Sequence, residues 1–238
     1  MRFMVMHKVT EQLERGLPPD QSVIDGVNAL IGDAITKKIF VGGEGLKPTA
    51  QRIHVAYSNG KRVVTSGPFQ NAKELVGGYA LFSVHSRDEA LSWCDRFAAL
   101  LGNVELFLGP VVEEWDLTGG TAPANAKQRY LAMHRLEENA PPPSTELMQK
   151  MGALIAEMEK AGVLQSTAGL HGTKQGARVR FAKGKRATVI DGPFAESKEL
   201  VAGYAILDLP SKAEAIEWAG RFGEVVQVDE VEVRQIFE

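Results

Sequence analysis

Apolar and polar positions fall into two successive rounds of one pattern. Each round opens on a short apolar run, "RFMVMH" from Arg2 and "RYLAMH" from Arg129, which predicts a strand buried on both faces or nearly so. A polar loop containing proline follows, "GLPPD" or "APPPS", and ends on Asp20 or Ser144 as a helix N-cap. In the second round Leu147, Met151, Leu154, Ile155 and Met158 share one helical face, and Gly162 stops the helix. A glycine-rich stretch, "VGGEGLKP" or "TAGLHG", leads to a hairpin in which "IHVAY" turns through Asn59-Gly60 into "RVVT". A Gly-Pro-Phe turn then enters the strand "YALFSV" or "YAILDL". Ser86-x-x-Glu89 and Ser211-x-x-Glu214 read as capping boxes that open a second amphipathic helix carrying Trp93 or Trp218. "VELFL" or "VEVRQIF" closes each round as a last strand.

The rounds are a duplication, since "SGPFQNAKELVGGYALFSV" from Ser66 returns as "DGPFAESKELVAGYAILDL" from Asp191, about half the chain later. The domain reading is a first repeat over 1–119, a linker over 120–128 rich in small residues, and a second repeat over 129–238. With the hairpin set aside, each repeat runs strand, helix, strand, strand, helix, strand, the order of a ferredoxin-like unit with helices on one face only. The other face reads as apolar and needs cover, which a second copy of the same sheet supplies. The expected fold class is therefore α+β, two ferredoxin-like units packed sheet to sheet as an intramolecular dimeric α+β barrel. The chain is then a monomer or a dimer of such pseudo-dimers.

Composition narrows the class. Of 238 residues, 44% are hydrophobic and 24% charged, and the mean hydropathy is −0.13, as in an ordinary globule. No apolar run is long enough to span a bilayer, and "MRFMVMHK" reads as a strand and not a signal peptide, so no membrane partner and a cytoplasmic location are expected. A single cysteine, Cys94, excludes an internal disulfide and a cysteine-based zinc site, and reads as a small apolar helix residue. The formal net charge of −3 offers no basic stripe for nucleic acid. "GGEGL" lacks dinucleotide and P-loop spacing, so no nucleotide cofactor is expected.

"DGPFAESKE" at Asp191, with "GEGL" at Gly43 and the "RFMVMHK" opening, resembles the YCII-related family, in the branch named for its DGPF motif. The resemblance covers both repeats. It implies a ferredoxin-like fold that dimerises into an α+β barrel, and a bacterial protein. The broader family includes a dehydrochlorinase of a chlorinated hydroxyhydroquinone with a proposed histidine-aspartate pair. In the DGPF branch, genes often sit beside those of extracytoplasmic-function sigma factors. The family histidine lies in the first helix, and neither 20–38 nor 144–162 contains one.

His7 and His134 instead end the first strands, at positions equivalent by the repeat, and suit a general base or a ligand contact. The plain alternative is a strand-end histidine bonded to backbone. The first repeat keeps Glu44 but has Ser66 at the motif aspartate. The second keeps Asp191 but has Ala168 in place of the glutamate. The expected functional pocket holds His134 and Asp191 as catalytic residues, with His7, Glu44, Lys198 and Tyr204 binding ligand, and the first repeat serving as cover. In one version of this reading Glu44 and Asp191 meet in a single composite site as acid and base. A turn-capping Asp191, a solvated Lys198 with Glu199, and a core Tyr204 are the structural alternatives.

A vicinal-oxygen-chelate fold, with His7 and Glu105 or His134 and Glu232 as metal ligands, is disfavoured by the helix before each last strand, and no metal is expected. Three function classes stay open: an acid-base enzyme of lyase or dehydrohalogenase type on a small organic molecule, a non-catalytic ligand-binding module, and a protein-interaction module linked to sigma-factor regulation.

Overall fold

The computed structural model describes residues 1–69, 75–138, 141–194 and 200–237. The first repeat supplies β1 (Arg2–Lys8), a short α1 (Glu11–Glu14), α2 (Gln21–Thr36), β2 (Phe40–Gly45), the hairpin β3 (Ile53–Ser58) and β4 (Lys61–Ser66), β5 (Val76–Val84), α3 (Arg87–Leu101) and β6 (Val104–Pro110). After the short α4 (Glu114–Leu117), the second repeat supplies β7 (Gln128–Arg135), α5 (Thr145–Lys160), β8 (Leu164–Gly169), β9 (Ala177–Ala182), β10 (Lys185–Asp191), β11 (Val201–Asp208), α6 (Lys212–Val226) and β12 (Glu230–Gln235). One-turn 3-10 helices, Thr49–Gln51 and Thr173–Gln175, precede each hairpin. The result is a mixed α+β chain with two six-stranded antiparallel sheets, in which no described helix is long and apolar enough to cross a membrane.

Local signals act as their chemistry requires. Ser144, Ser86 and Ser211 accept hydrogen bonds from the backbone N–H of Leu147, Glu89 and Glu214, each tying down a free helical donor. Asp20 occupies the N-cap position of α2 but makes no side-chain cap bond. Asn59 and Gly60 both take positive φ, 51° and 74°, the geometry a two-residue hairpin needs. Lys183 and Gly184 make the same turn in the second repeat.

The sheets do not follow the repeats. One has the order β10-β9-β12-β1-β11-β2, the other β4-β3-β6-β7-β5-β8. Each sheet thus combines the opening strand, helix and strand of one repeat with the hairpin and closing elements of the other. Two compact units result, a terminal unit built from Met1–Pro48 and 169–237 and a central unit built from Thr49–Phe69 and Val76–Ala168.

In the terminal unit, Phe3, Val5, Val179, Phe181, Leu207 and Val233 form one side of the sheet and pack under α2 and α6 with Ala34, Ala215 and Ala219. In the central unit, Ile53, Val55, Phe82, Leu106, Leu108 and Ala132 pack under α3 and α5 with Cys94, Leu154 and Met158. Burial pushes the Cys94 thiol up to about 12, so it acts as a packing residue and not as a nucleophile. The exchange recurs on the helices: Arg221 of α6 pairs with Asp33 of α2 at 2.9 Å, and Arg96 of α3 pairs with Glu157 of α5. Each pair joins a residue of one repeat to a residue of the other.

Candidate functional site

Strand alternation sends every second residue away from the helices. On the terminal sheet, registered pairs place Arg178, Glu232, Met6, Tyr204 and Glu44 in one line across β9, β12, β1, β11 and β2. This face was expected to be apolar, and instead it carries charge. Lys8, Arg178, Arg234 and Glu232 are all buried, with Glu232 1% and Arg234 0% exposed. The Glu232 carboxylate accepts from Arg178 Nε at 3.1 Å and Arg234 Nη1 at 3.2 Å, and Lys8 Nζ stands 3.8 Å away. Arg178 also meets Glu230 at 3.4 Å, and Glu230 pairs with the exposed Arg180. Burial raises the Glu232 pKa, but Lys8, Arg178 and Arg234 outweigh it, holding the carboxyl below its ordinary value.

The matching line of the central sheet is His54, Phe107, Met133 and Tyr79, across β3, β6, β7 and β5. Here His54 stands where the terminal unit has Arg178, and Phe107 where it has Glu232. The buried guanidinium has changed strand as well. Arg52, 3% exposed, precedes β3, whereas Arg234 lies on β12. Each faces a glycine at the position from which the other unit's arginine comes. A Cβ on Gly109 would lie 3.0 Å from Arg52 Cδ, and one on Gly176 would lie 2.9 Å from Arg234 Cδ. Only one of the two positions can carry a side chain. Arg52→Gly is therefore expected to cost about 2–4 kcal/mol, and Arg52→Gly with Gly109→Arg to recover much of it. Thermal melts of both variants check this.

The Gly-Pro-Phe turn serves this face. Thr173 and Thr49, both buried, accept hydrogen bonds from the backbone N–H of Phe194 at 3.1 Å and Phe69 at 3.3 Å. A Cβ on Gly192 or Gly67 would fall 1.7 or 1.9 Å from the threonine carbonyl oxygen, so no side chain fits there. The turn thereby sets its phenylalanine behind the line: Phe194 lies under the Arg178 guanidinium at 4.1 Å, and Phe69 packs edge-on against Phe107 at 5.4 Å.

Of the residues singled out from sequence, Tyr204 and Glu44 share this face of the terminal sheet. His7 points to the helices, its ring 5.5 Å from Phe222. His134 takes the same place in the central unit, 5.5 Å from Phe97, with Nδ1 3.2 Å from the Arg135 carbonyl. Burial holds its pKa below the ordinary value, more than the bond to Arg135 raises it.

Asp191 ends the edge strand β10, 71% exposed, and accepts from Lys212 Nζ at 2.7 Å. It belongs to the terminal unit and His134 to the central one. Glu44 and Asp191 do share a unit, but on opposite edge strands five steps apart, about 24 Å at the usual strand spacing. Lys198 lies outside the described residues. Sequence reading missed Lys8, Arg178, Arg234 and Arg52 and met Glu232 only as a disfavoured metal ligand, although alternation along "VEVRQ" and "ARVRF" places charges on one side of two strands.

A model of the YCII-related domain family matches the chain twice, over residues 1–106 and 128–238. An uncharacterized protein of Rhizobium meliloti (strain 1021) is 36% identical over 73 residues, covering 31% of this chain and 58% of that protein. The match thus spans little more than half the length of the relative. No solved structure matches the chain. Since both repeats are matched over nearly their full length, the chain belongs to the YCII-related domain family.

Proposed function

We propose that this YCII-related chain, of the DGPF branch, binds a small organic acid at the helix-free face of its terminal sheet. Three cationic side chains, Lys8, Arg178 and Arg234, gathered around the buried carboxylate of Glu232 carry the reading. Burying such groups costs several kcal/mol each, and apolar residues of the same size would stabilise the sheet at least as well. Their retention therefore points to recognition of negative charge, with Tyr204 in the same line as a ligand contact. The same cations would stabilise the enediolate formed when a proton leaves the carbon beside a carboxylate. That suits an acid-base step of lyase or dehydrohalogenase type at this face. Glu232, held ionised, supplies fixed negative charge there.

The inherited units in this reading are the repeats 1–119 and 129–238, and each compact unit is a ferredoxin-like fold assembled from both. The inner order β12-β1-β11-β2, with the hairpin β9-β10 added beside β12, supports that assignment. Thermal-shift measurements at neutral pH test the function with a panel of small mono- and dicarboxylic acids set against their uncharged amides. Acids are expected to raise the melting temperature, amides to leave it unchanged, and Lys8→Met to remove the response. Equal shifts from acids and amides, or an undiminished response in Lys8→Met, would reject the reading.

A further inference from the structure

We infer that the central unit carries a second, chemically different site, centred on His54, for an uncharged small aromatic molecule that donates one hydrogen bond. The geometry stands apart from the anion site and does not depend on it. His54 Nε2 lies 3.3 Å from Glu105 Oε2, and Arg135 Nη1 approaches the same oxygen at 3.5 Å. The imidazole, 24% exposed, leans on the Phe107 ring at 4.8 Å, and Phe107 is braced in turn by Phe69. Carboxylate and ring therefore fix the orientation of the histidine from two sides.

With Nε2 carrying the proton, the ring donates to Glu105, and Nδ1 presents a lone pair as acceptor. Among the described residues Nδ1 has no hydrogen-bond partner. Glu105 acts as a positioning residue, selecting the tautomer and anchoring the ring, as carboxylates commonly do for functional histidines.

Comparison with the register-equivalent positions of the terminal unit indicates the ligand class. Arg178, Glu232 and Arg180 there become His54, Phe107 and Ala56 here, so that two permanent cations and one carboxylate give way to an imidazole, an aromatic ring and a methyl group. A face whose charges beside the histidine, Glu105 and Arg135, are paired with each other, and which has gained a phenylalanine floor, favours an apolar, uncharged body. The Nδ1 lone pair favours a ligand with one N–H or O–H to give.

Indole is the probe, with 1-methylindole as the same body lacking the donor. In nitrogen-15 NMR of the full chain, His54 is expected to show the Nε2–H tautomer. Saturating indole should shift its Nδ1 resonance, while 1-methylindole binds about fivefold more weakly, the worth of one net hydrogen bond. His54→Phe should keep an apolar floor but lose the preference between the two probes. Glu105→Gln should mix the tautomers and reduce the preference without unfolding the chain. Absence of saturable indole binding, a preference that survives in His54→Phe, or an Nδ1–H tautomer in the wild-type chain would each overturn the inference. Lys8→Met, which tests the anion site, should leave indole binding unchanged, so the two readings can fail separately.

Discussion

A fragment carrying only the second repeat, residues 129–238, is expected to fold as a homodimer and not as a monomer. In the full chain β11 is hydrogen-bonded between β1 and β2, and β7 between β5 and β6, all of which belong to the first repeat. Removing that repeat leaves only β10-β9-β12 with native neighbours, a three-stranded remnant whose helix α6 has lost its partner α2. Two copies restore every pairing, because β7, α5 and β8 of one copy can stand where β1, α2 and β2 stand now.

Closure within one copy is opposed by the connection between β8 and β9. It would have to carry the chain from the β2 position to the β9 position of one sheet, four strand steps or about 19 Å, past three intervening strands. The segment 170–176 reaches about 25 Å only if fully extended, and Thr173–Gln175 is wound into a 3-10 turn. Light scattering after size exclusion, with melts at several concentrations, checks the outcome. A dimer whose stability rises with concentration is expected. A folded monomer at micromolar concentration would show that the exchange is not imposed by the connection.

This exchange gives the duplication a chemical consequence. Lys8 of the first repeat pairs with Glu232 of the second, which also holds Arg178 and Arg234, so the charged face exists only where two different half-sequences combine. A symmetric dimer of one repeat would carry two identical faces. A fused pair can carry two unlike ones, and the swaps of Arg178 for His54, Glu232 for Phe107, and Arg234 for Gly109 with Arg52 are that divergence written out along one chain.

How much was legible follows the same division. Caps, hairpin turns and helix faces were readable because each depends on residues three or four apart, as at Ser86, Ser144, Ser211 and Asn59-Gly60. The order of elements was readable from the repeat. Which repeat supplies the neighbour of a strand was not, because β1 and β7 share a sequence pattern and either could pair with β11. That choice rests on connection length and path, which periodicity does not contain. The partner of the motif aspartate was not legible either, because in space it is Lys212 at the start of α6, in an exposed pair worth at most about 1 kcal/mol. Serine replaces it in the first copy without disturbing Gly67 or Phe69, which do the positioning. The short helices α1 and α4 escaped notice because four residues carry no periodic signal.

Replacing Glu232 is expected to be among the most damaging single changes in the terminal sheet. Glu232→Gln keeps the shape of the side chain but leaves Lys8, Arg178 and Arg234, all buried, without the carboxylate they converge on. Removing one partner of a buried ion cluster typically costs about 3–5 kcal/mol, because the remaining charges stay desolvated and lose their compensation. That is a large fraction of the stability of an ordinary domain. A double change tests the cause: Lys8→Met with Glu232→Gln removes one uncompensated cation and should recover part of the loss. If strain and not charge were responsible, the two costs would simply add.

The pH dependence has a definite sign. Burial alone would raise the Glu232 pKa, but the three cations lower it below the ordinary value, so the folded chain binds this proton less readily than the unfolded one. Its contribution is therefore present in full above the unfolded carboxylate pKa, near 4.3, and is lost as pH falls through the lower folded value. Urea melts between pH 7 and pH 3 should show the wild-type advantage over Glu232→Gln constant down to about pH 5 and shrinking below the unfolded pKa. An advantage that persists undiminished at pH 3, or one that grows there, would mean that Glu232 holds the sheet by shape and not by charge.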